Sequence, residues 1–181
     1  SLNISPRTVE TYHRNIRQKL VIPHHNALIR IATLIFSGQV TKTTILQEQK
    51  MIYAFQQKQI TCSEWNHQLH LLILFHYLSR YSFKIALVHI KEGIRKLNLP
   101  DKGYLGYHET ITGAYAHLIH HHLQQAPMWL HCQNFLDAFP YLNTTNPIDP
   151  LLDYYTHEYL MSDPAQIDFL KPDIKDFPGD L

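Results

Sequence analysis

Cysteine is scarce in this sequence, and the long apolar segments of a membrane protein are missing. The chain has two cysteines, Cys62 and Cys132, which form neither a disulfide framework nor a thiolate zinc motif. No signal peptide is visible, and no apolar run approaches the ~20 residues that span a bilayer. We therefore expect a reduced, cytoplasmic protein without membrane contact.

Two further absences restrict the fold and the chemistry. No stretch alternates between apolar and polar residues as a half-buried strand does, so the sequence predicts an all-α protein. It contains neither a glycine-rich phosphate loop nor a Gly-x-Ser-x-Gly elbow. Cys132 follows His131 but shows no pattern of a base and an orienting group, which disfavours a nucleophilic cysteine. Whether the chain is an enzyme stays open at this level.

The composition supports a folded protein with one basic end. Hydrophobic residues make up 45% of the chain, which is enough for a core. The formal net charge of +1 is unevenly spread, because residues 1–40 hold five basic residues against Glu10 alone, a net of +4, and the remainder sums to −3. A basic N-terminal end on a mildly acidic body is typical of contact with a polyanion.

Local signals predict two helices near the N-terminus. Ser5 is a favoured N-cap and Pro6 fits the first turn, so the first helix is expected over 6–20. Its apolar positions recur at helical spacing and are Val9, Tyr12, Ile16 and Leu20. A second helix is expected from Asn26 to Gly38.

The rest of the chain is predicted to be a polar connector followed by a helical-bundle-like domain. The connector, residues 41–60, contains a helix over 43–59 and is a candidate seam for a homodimer. The domain covers 61–181, and its first helix, capped by Thr61 or Ser63 and ending near Tyr81, is apolar on nearly all sides and should be central to the core. Further predicted helices start at Ser82, span 107–125, run from Pro127 to near Pro140, and lie around 150–160 and 163–169. Loops are expected at 98–106 and 141–150.

The segment LNISPRTVETYHRNIRQKL, followed by NALIRIA, carries an Ile-Ser pair, a Thr-Val pair, an Asn-Ile pair, a Lys-Leu pair and an Ala-Leu-rich helix. It resembles the C-terminal half of the LuxR-type helix-turn-helix domain of bacterial transcription regulators, here over residues 1–40. The resemblance implies that the helix after Ser5 lies in the major groove of DNA. It implies base contacts by Glu10, Thr11 and Arg14, and phosphate contacts by Thr8, Arg17 and Lys19. Since the family's earlier helices would precede Ser1, we expect a fragment of a longer protein or a vestigial segment.

Fourteen histidines make the chain histidine-rich, and two motifs suggest a site. Trp65 is followed by His67 and His70 at a spacing of three on one helix, and Tyr107-His108-Glu109-Thr110 opens a later helix. Three imidazoles from facing helices, with a carboxylate, suit a divalent metal ion with an open coordination position. The predicted metal ligands are His67, His70, His108 and Glu109. The alternative is that these are core polar residues bonded to backbone or tyrosine hydroxyls.

With a C-terminal Leu151-Leu152, Tyr155-Thr156 and Leu160 pattern, these motifs also resemble an uncharacterised bacterial family over about residues 60–175. That resemblance implies only that the three histidines belong together. The run of His117, His120, His121 and His122 is expected to be a solvated helix face.

Three functional readings follow. The first is a DNA-binding transcription regulator, or a fragment of one, whose helical domain binds a metal ion or a small ligand. The alternative is a metal-dependent enzyme or metal-binding protein with a vestigial helix-turn-helix segment. The third is an interaction module that dimerises through the connector helix.

Overall fold

The computed structural model describes residues 5–20, 42–61, 63–97, 107–125, 129 and 131–179. The chain divides into two compact units, Ser1–Leu46 and Gln47–Leu181. This division falls inside a helix of the predicted connector, so most of that helix belongs to the second unit. The predicted second helix from Asn26 to Gly38 and the predicted loop at 98–106 lie outside the described residues.

The prediction of an all-α fold is confirmed, because the described part of the chain contains helices and turns but no strand. In chain order its α-helices are Pro6–Leu20 (α1), Lys42–Gln56 (α2), His67–Leu78 (α3), Phe83–Leu97 (α4), Glu109–Gln125 (α5), Cys132–Ala138 (α6), His157–Leu160 (α7) and Asp163–Ile167 (α8). Short 3-10 turns at Pro140–Leu142 and Asp149–Leu151 occupy part of the predicted loop at 141–150.

Helix α3 is the centre of the second unit, as its apolar sequence predicted. Seven of its twelve residues are buried, and they cover most of the circumference of the helix. It packs against α4, α5 and α6, with Phe75 on α3 and Phe135 on α6 placing their ring centroids 5.3 Å apart. A helix packed on most of its sides has only a narrow exposed face, here marked by Gln68, and this explains why its pattern lacks the periodicity of an amphipathic helix.

The predicted start of α3 at Thr61 or Ser63 was wrong. The Thr61 amide and hydroxyl both donate to Glu64 Oε2, at 2.9 and 2.7 Å, and form a separate turn. The helix begins after Asn66, whose backbone is extended and whose side chain accepts a hydrogen bond from the Leu69 amide at 2.9 Å. Two competing polar caps follow each other here, and the second starts the helix. His67 is consequently the first helical residue.

Helix α2 contributes to the core through Ile52 and Phe55, which are both buried. The Phe55 ring lies over Gly93 of α4, where a Cβ atom would collide with it, and makes an edge contact with Tyr77 at 6.3 Å between centroids. The predicted connector helix therefore stabilises the second unit directly.

The last described residues lie along α5 as an extended segment. Thr110 bonds both sides of it, donating to the Asp168 carbonyl at 2.8 Å and accepting from the Leu170 amide at 3.0 Å. The Phe169 ring occupies the space that a side chain at Gly113 would need. This segment covers the face of α5 that carries Thr110 and Gly113.

Candidate functional site

Helix α1 begins where its sequence predicted. The Ser5 hydroxyl accepts a hydrogen bond from the Thr8 amide at 3.2 Å, and Pro6 is the first helical residue. This is the N-cap geometry in which a serine oxygen satisfies an amide of the first turn. The Ser5 and Thr8 hydroxyls also lie 2.8 Å apart and order this end of the helix.

The predicted base-contacting residues Glu10, Thr11 and Arg14 are all exposed on α1. Positions 10 and 14, and positions 11 and 14, are helical neighbours, so the three side chains share one face. Thr11 donates its hydroxyl to the Arg7 carbonyl at 2.9 Å, which holds its side chain against its own helix. Thr8 is exposed as well, while Arg17 and Lys19 lie in the helix with side chains outside the described part. The exposed face of Glu10, Thr11 and Arg14 combines a carboxylate, a hydroxyl and a guanidinium group.

In the second unit, His67 and His70 form a ring cluster with Tyr115 of α5. The His67 ring centroid lies 6.4 Å from that of His70 and 5.1 Å from that of Tyr115. His67 Nε2–H donates to the Leu142 carbonyl at 2.9 Å, and the Tyr115 hydroxyl donates to the Pro147 carbonyl at 2.8 Å. Both bonds fasten the segment after α6 to the centre of the unit.

His70 differs from its neighbours because its Nε2 atom is buried and has no hydrogen-bond partner. Burial, with a smaller effect of His67, lowers the pKa of His70 to about 3. The imidazole is therefore neutral near pH 7 and offers one unpaired nitrogen to its surroundings. Burial also lowers the pKa of His67, against the opposing effect of its bond to Leu142.

His108 is the N-terminal cap of α5. Its Nδ1 accepts a hydrogen bond from the Ile111 amide at 3.2 Å, and its ring also hydrogen-bonds the backbone of Leu160. With both bonds made, the two ring nitrogens are satisfied in a neutral imidazole. Burial lowers the pKa of His108, and the bond to Leu160 opposes that shift.

Glu109, the first residue of α5, is bound by cations. Its carboxylate forms ion pairs with Lys91 and with Arg95, the latter at 2.8 Å, and accepts a hydrogen bond from the Tyr107 hydroxyl at 2.7 Å. Burial alone would raise the pKa of Glu109, but hydrogen bonds from Lys91 and Tyr107 and the charges of Lys91 and Arg95 hold it below its usual value. Arg95 also lies over the Tyr107 ring, 5.0 Å from its centroid.

The structure thus brings together two of the four predicted metal ligands, His67 and His70, and engages His108 and Glu109 in other bonds. Within the described residues, no group of three or more histidine, cysteine, aspartate or glutamate side chains is placed to hold a metal ion. Two imidazoles on one tetrahedral zinc ion would have ring centroids about 5 Å apart, given Zn–N bonds of about 2.0–2.1 Å. The wider separation of His67 and His70, with Nε2 of His67 already bonded, does not fit a preformed centre of this kind.

The histidine run on α5 is half-buried, not the solvated face that we expected. The His117 ring stacks on Phe169 and Phe177, at 5.4 and 5.0 Å, and the His122 ring stacks on Phe139 at 3.9 Å. His122 Nε2 also lies 2.7 Å from the Tyr141 hydroxyl. Aromatic residues from distant segments cover these imidazoles. The residue pattern of α5 by itself does not predict such contacts.

Sequence reasoning missed the contact between Glu48 of α2 and the start of α6. His131 caps α6, whose predicted start at Pro127 was therefore too early. Glu48 accepts hydrogen bonds from the Cys132 and Gln133 amides, each at 3.2 Å, and its Oε1 lies 3.5 Å from His131 Nδ1. Burial, with a smaller effect of Glu48, raises the pKa of the Cys132 thiol, which disfavours a reactive thiolate. Near α6 the sequence offers only His131, which is an unusual cap residue, as a signal for this contact. Its partner Glu48 is distant in sequence.

Comparison with known proteins relates one end of the chain to a family. The model of the family described as bacterial regulatory proteins, luxR family, matches residues 1–32. The matched segment includes α1 and stops short of residue 40, where we had placed the end of the DNA-binding unit. No curated protein and no solved structure matches the chain. Across the described residues, no helix is long and apolar enough to cross a membrane.

Proposed function

We propose that this chain is part of a DNA-binding transcription regulator in which α1 is the recognition helix. The observation that carries the proposal is the luxR-family match over residues 1–32, which contains α1 and its three exposed predicted base-contacting residues. Arginine can grip a guanine edge with two hydrogen bonds, while lysine gives sequence-independent attraction to phosphate. The net charge of +4 on residues 1–40 favours the same polyanionic partner.

The test uses duplexes recovered by the chain from a random-sequence pool. Arg14→Ala should weaken binding to the recovered sequence by about 1–3 kcal/mol and relax its base preference, because a bidentate contact is lost. Lys19→Ala should weaken binding to all duplexes and reduce the salt dependence by about one phosphate contact.

A matched control is Lys50→Ala, which removes the same charge from an exposed position on α2 and should leave affinity unchanged. Equal affinity of the Arg14→Ala, Lys19→Ala and Lys50→Ala variants would contradict a recognition role for α1.

We further propose that the second unit supplies the regulatory input by binding a small ligand at His67 and His70, or a metal ion whose coordination forms only when the two rings move together on binding. The supporting observation is the buried, unpartnered Nε2 of His70 beside a second imidazole. An orphaned polar atom in an aromatic cluster is costly, and a ligand that bonds to it recovers that cost. His108 and Glu109 are bonded elsewhere, so His67 and His70 carry this proposal without them.

Metal content of the purified full chain tests this input. One equivalent in the wild type and none in a His67→Ala/His70→Ala variant would support a metal as the ligand. The control is His157→Ala, an exposed histidine on α7, which should retain the wild-type content. Equal metal content in all three proteins would contradict metal binding at His67 and His70. If the thermal stability of the wild type were also unchanged by a panel of imidazole-binding small molecules, the proposed small-ligand site would be contradicted as well.

A further inference from the structure

The cap of α6 is an imidazole in place of the usual side-chain oxygen. His131 has an extended backbone, and its Nδ1 accepts a hydrogen bond from the Asn134 amide at 3.4 Å. Serine, threonine, asparagine and aspartate are the common caps, and they accept through oxygen atoms. Imidazole can accept at Nδ1 only while that nitrogen carries no proton. The cap of α6 therefore depends on the protonation state of His131.

A carboxylate lies beside the same nitrogen. Glu48 Oε1 on α2 is 3.5 Å from His131 Nδ1, while the two Glu48 oxygens accept from the Cys132 and Gln133 amides. Burial lowers the pKa of Arg80 and the charge of Glu48 opposes that shift, so the Arg80 guanidinium interacts electrostatically with the same carboxylate. The titratable groups at this cap are thus Glu48 on α2 and the Cys132 thiol on α6, and Arg80 after α3 interacts with Glu48.

Neither protonation state satisfies the imidazole fully. The His131 side chain is 4% exposed, and its Nε2 is buried without a hydrogen-bond partner. When Nδ1 caps the helix, the ring proton is on Nε2. This buried N–H donor has no acceptor, which costs free energy. In the protonated state Nδ1–H gains the Glu48 carboxylate and the Asn134 amide loses its acceptor. Each state therefore has one hydrogen bond that the other lacks.

We propose that His131 is a proton-operated switch that exchanges the partner of its Nδ1 atom, the Asn134 amide when neutral and the Glu48 carboxylate when protonated. Protonation removes the side-chain cap of α6, places a positive charge at its N-terminus, where the helix dipole disfavours it, and divides Glu48 between the imidazolium and the α6 amides. Glu48 lies on the helix that continues across the boundary between the two units, so a change in its bonding reaches α2 directly. The switch does not depend on DNA binding.

The experiment is a nuclear magnetic resonance titration of the isotope-labelled full chain from about pH 8 to about pH 5, a range in which histidine commonly titrates. The His131 ring and the Asn134 amide should titrate with one midpoint, and exchange of the Asn134 amide hydrogen should accelerate on the acid side. In Glu48→Gln the His131 midpoint should fall, because the anion beside Nδ1 that favours the imidazolium is gone.

His131→Asn is the second variant, since asparagine caps a helix and does not titrate. Its Asn134 amide should lose the pH response, whereas His157→Gln, a change at an exposed histidine, should keep it. An Asn134 amide that stays constant through the His131 titration overturns the switch, as does a midpoint unaffected by Glu48→Gln. Should circular dichroism show Glu48→Gln to be unfolded, a persistent Asn134 response in His131→Asn overturns it.

Discussion

The carboxylate of Glu109 shows how one residue can match a metal-ligand pattern and have another role. Its position beside His108 at a helix start suggested a ligand, but Lys91 and Arg95 lie one turn apart on α4 and both face it. A carboxylate at the first residue of a helix also interacts favourably with the helix dipole. The ion-paired cluster joins α4 to α5, and its sequence signal, two cations at a spacing of four, is common on solvated helices.

Replacing Glu109 should therefore destabilise the second unit. Its side chain is 8% exposed, so Glu109→Gln leaves Lys91 and Arg95 without their anion. We expect a loss on the order of 2–3 kcal/mol in the free energy of unfolding, less than for a fully buried pair because the Arg95 side chain is 54% exposed. Urea denaturation at neutral pH measures it.

The control for this change is Lys96→Ala, which breaks the exposed pair between Lys96 and Glu92 on the same helix. Such a pair contributes about 0.3–0.5 kcal/mol. A Glu109→Gln variant as stable as Lys96→Ala would mean that the buried cluster contributes nothing beyond a surface pair.

At the scale of the helices, starts were predicted correctly where the cap is local. Ser5 and Pro6 fixed the start of α1, and Ser82, whose carbonyl accepts from the Ala86 amide at 2.9 Å, lies just before α4. The starts of α3 and α6 were missed for different reasons. At α3 two caps compete within a few residues, and at α6 the cap is a histidine supported by a carboxylate from another helix.

Packing between elements decided which helix faces are buried. Gly93 and Gly113 each leave room for a phenylalanine ring from another segment, Phe55 and Phe169. In both cases a glycine that weakens its own helix permits a close approach that adds buried apolar area. The rings that stack on His117 and His122 also come from other segments, namely Phe169, Phe177 and Phe139. The sequence pattern of α5 alone does not indicate which segments pack against it.

For the whole molecule, the histidines predict a loss of stability in acid. Burial, with a smaller effect of Arg80, lowers the pKa of His76 to about 3, and burial together with the charge of His121 lowers the pKa values of His120 and His122. These groups are neutral when folded, whereas the unfolded chain takes up their protons near pH 6.5. Stability should therefore be intact above about pH 6.5 and fall as the pH decreases toward 3.

Urea midpoints measured between neutral pH and about pH 4.5 check this expectation. His76→Gln should reduce the difference between the two midpoints, because one buried group that resists protonation is gone. Replacing the exposed His157 by Gln should leave the difference as in the wild type. A midpoint that does not change with pH in the wild type would contradict the assignment of buried neutral histidines.

The sequence alone determined the helical class, the extent of α1 and the central position of α3, because caps, spacing and apolar content act within one segment. It also predicted a resemblance to LuxR-type regulators over residues 1–40, of which the family match supports residues 1–32. Only the tertiary structure decided the partners of the histidines and of Glu109. His67 and His70 lie together, His108 caps a helix, Glu109 binds two cations, and Glu48 meets His131. These outcomes depend on which distant groups fold against each side chain, and hydrogen-bonding capacity alone leaves several partners open to an imidazole or a carboxylate.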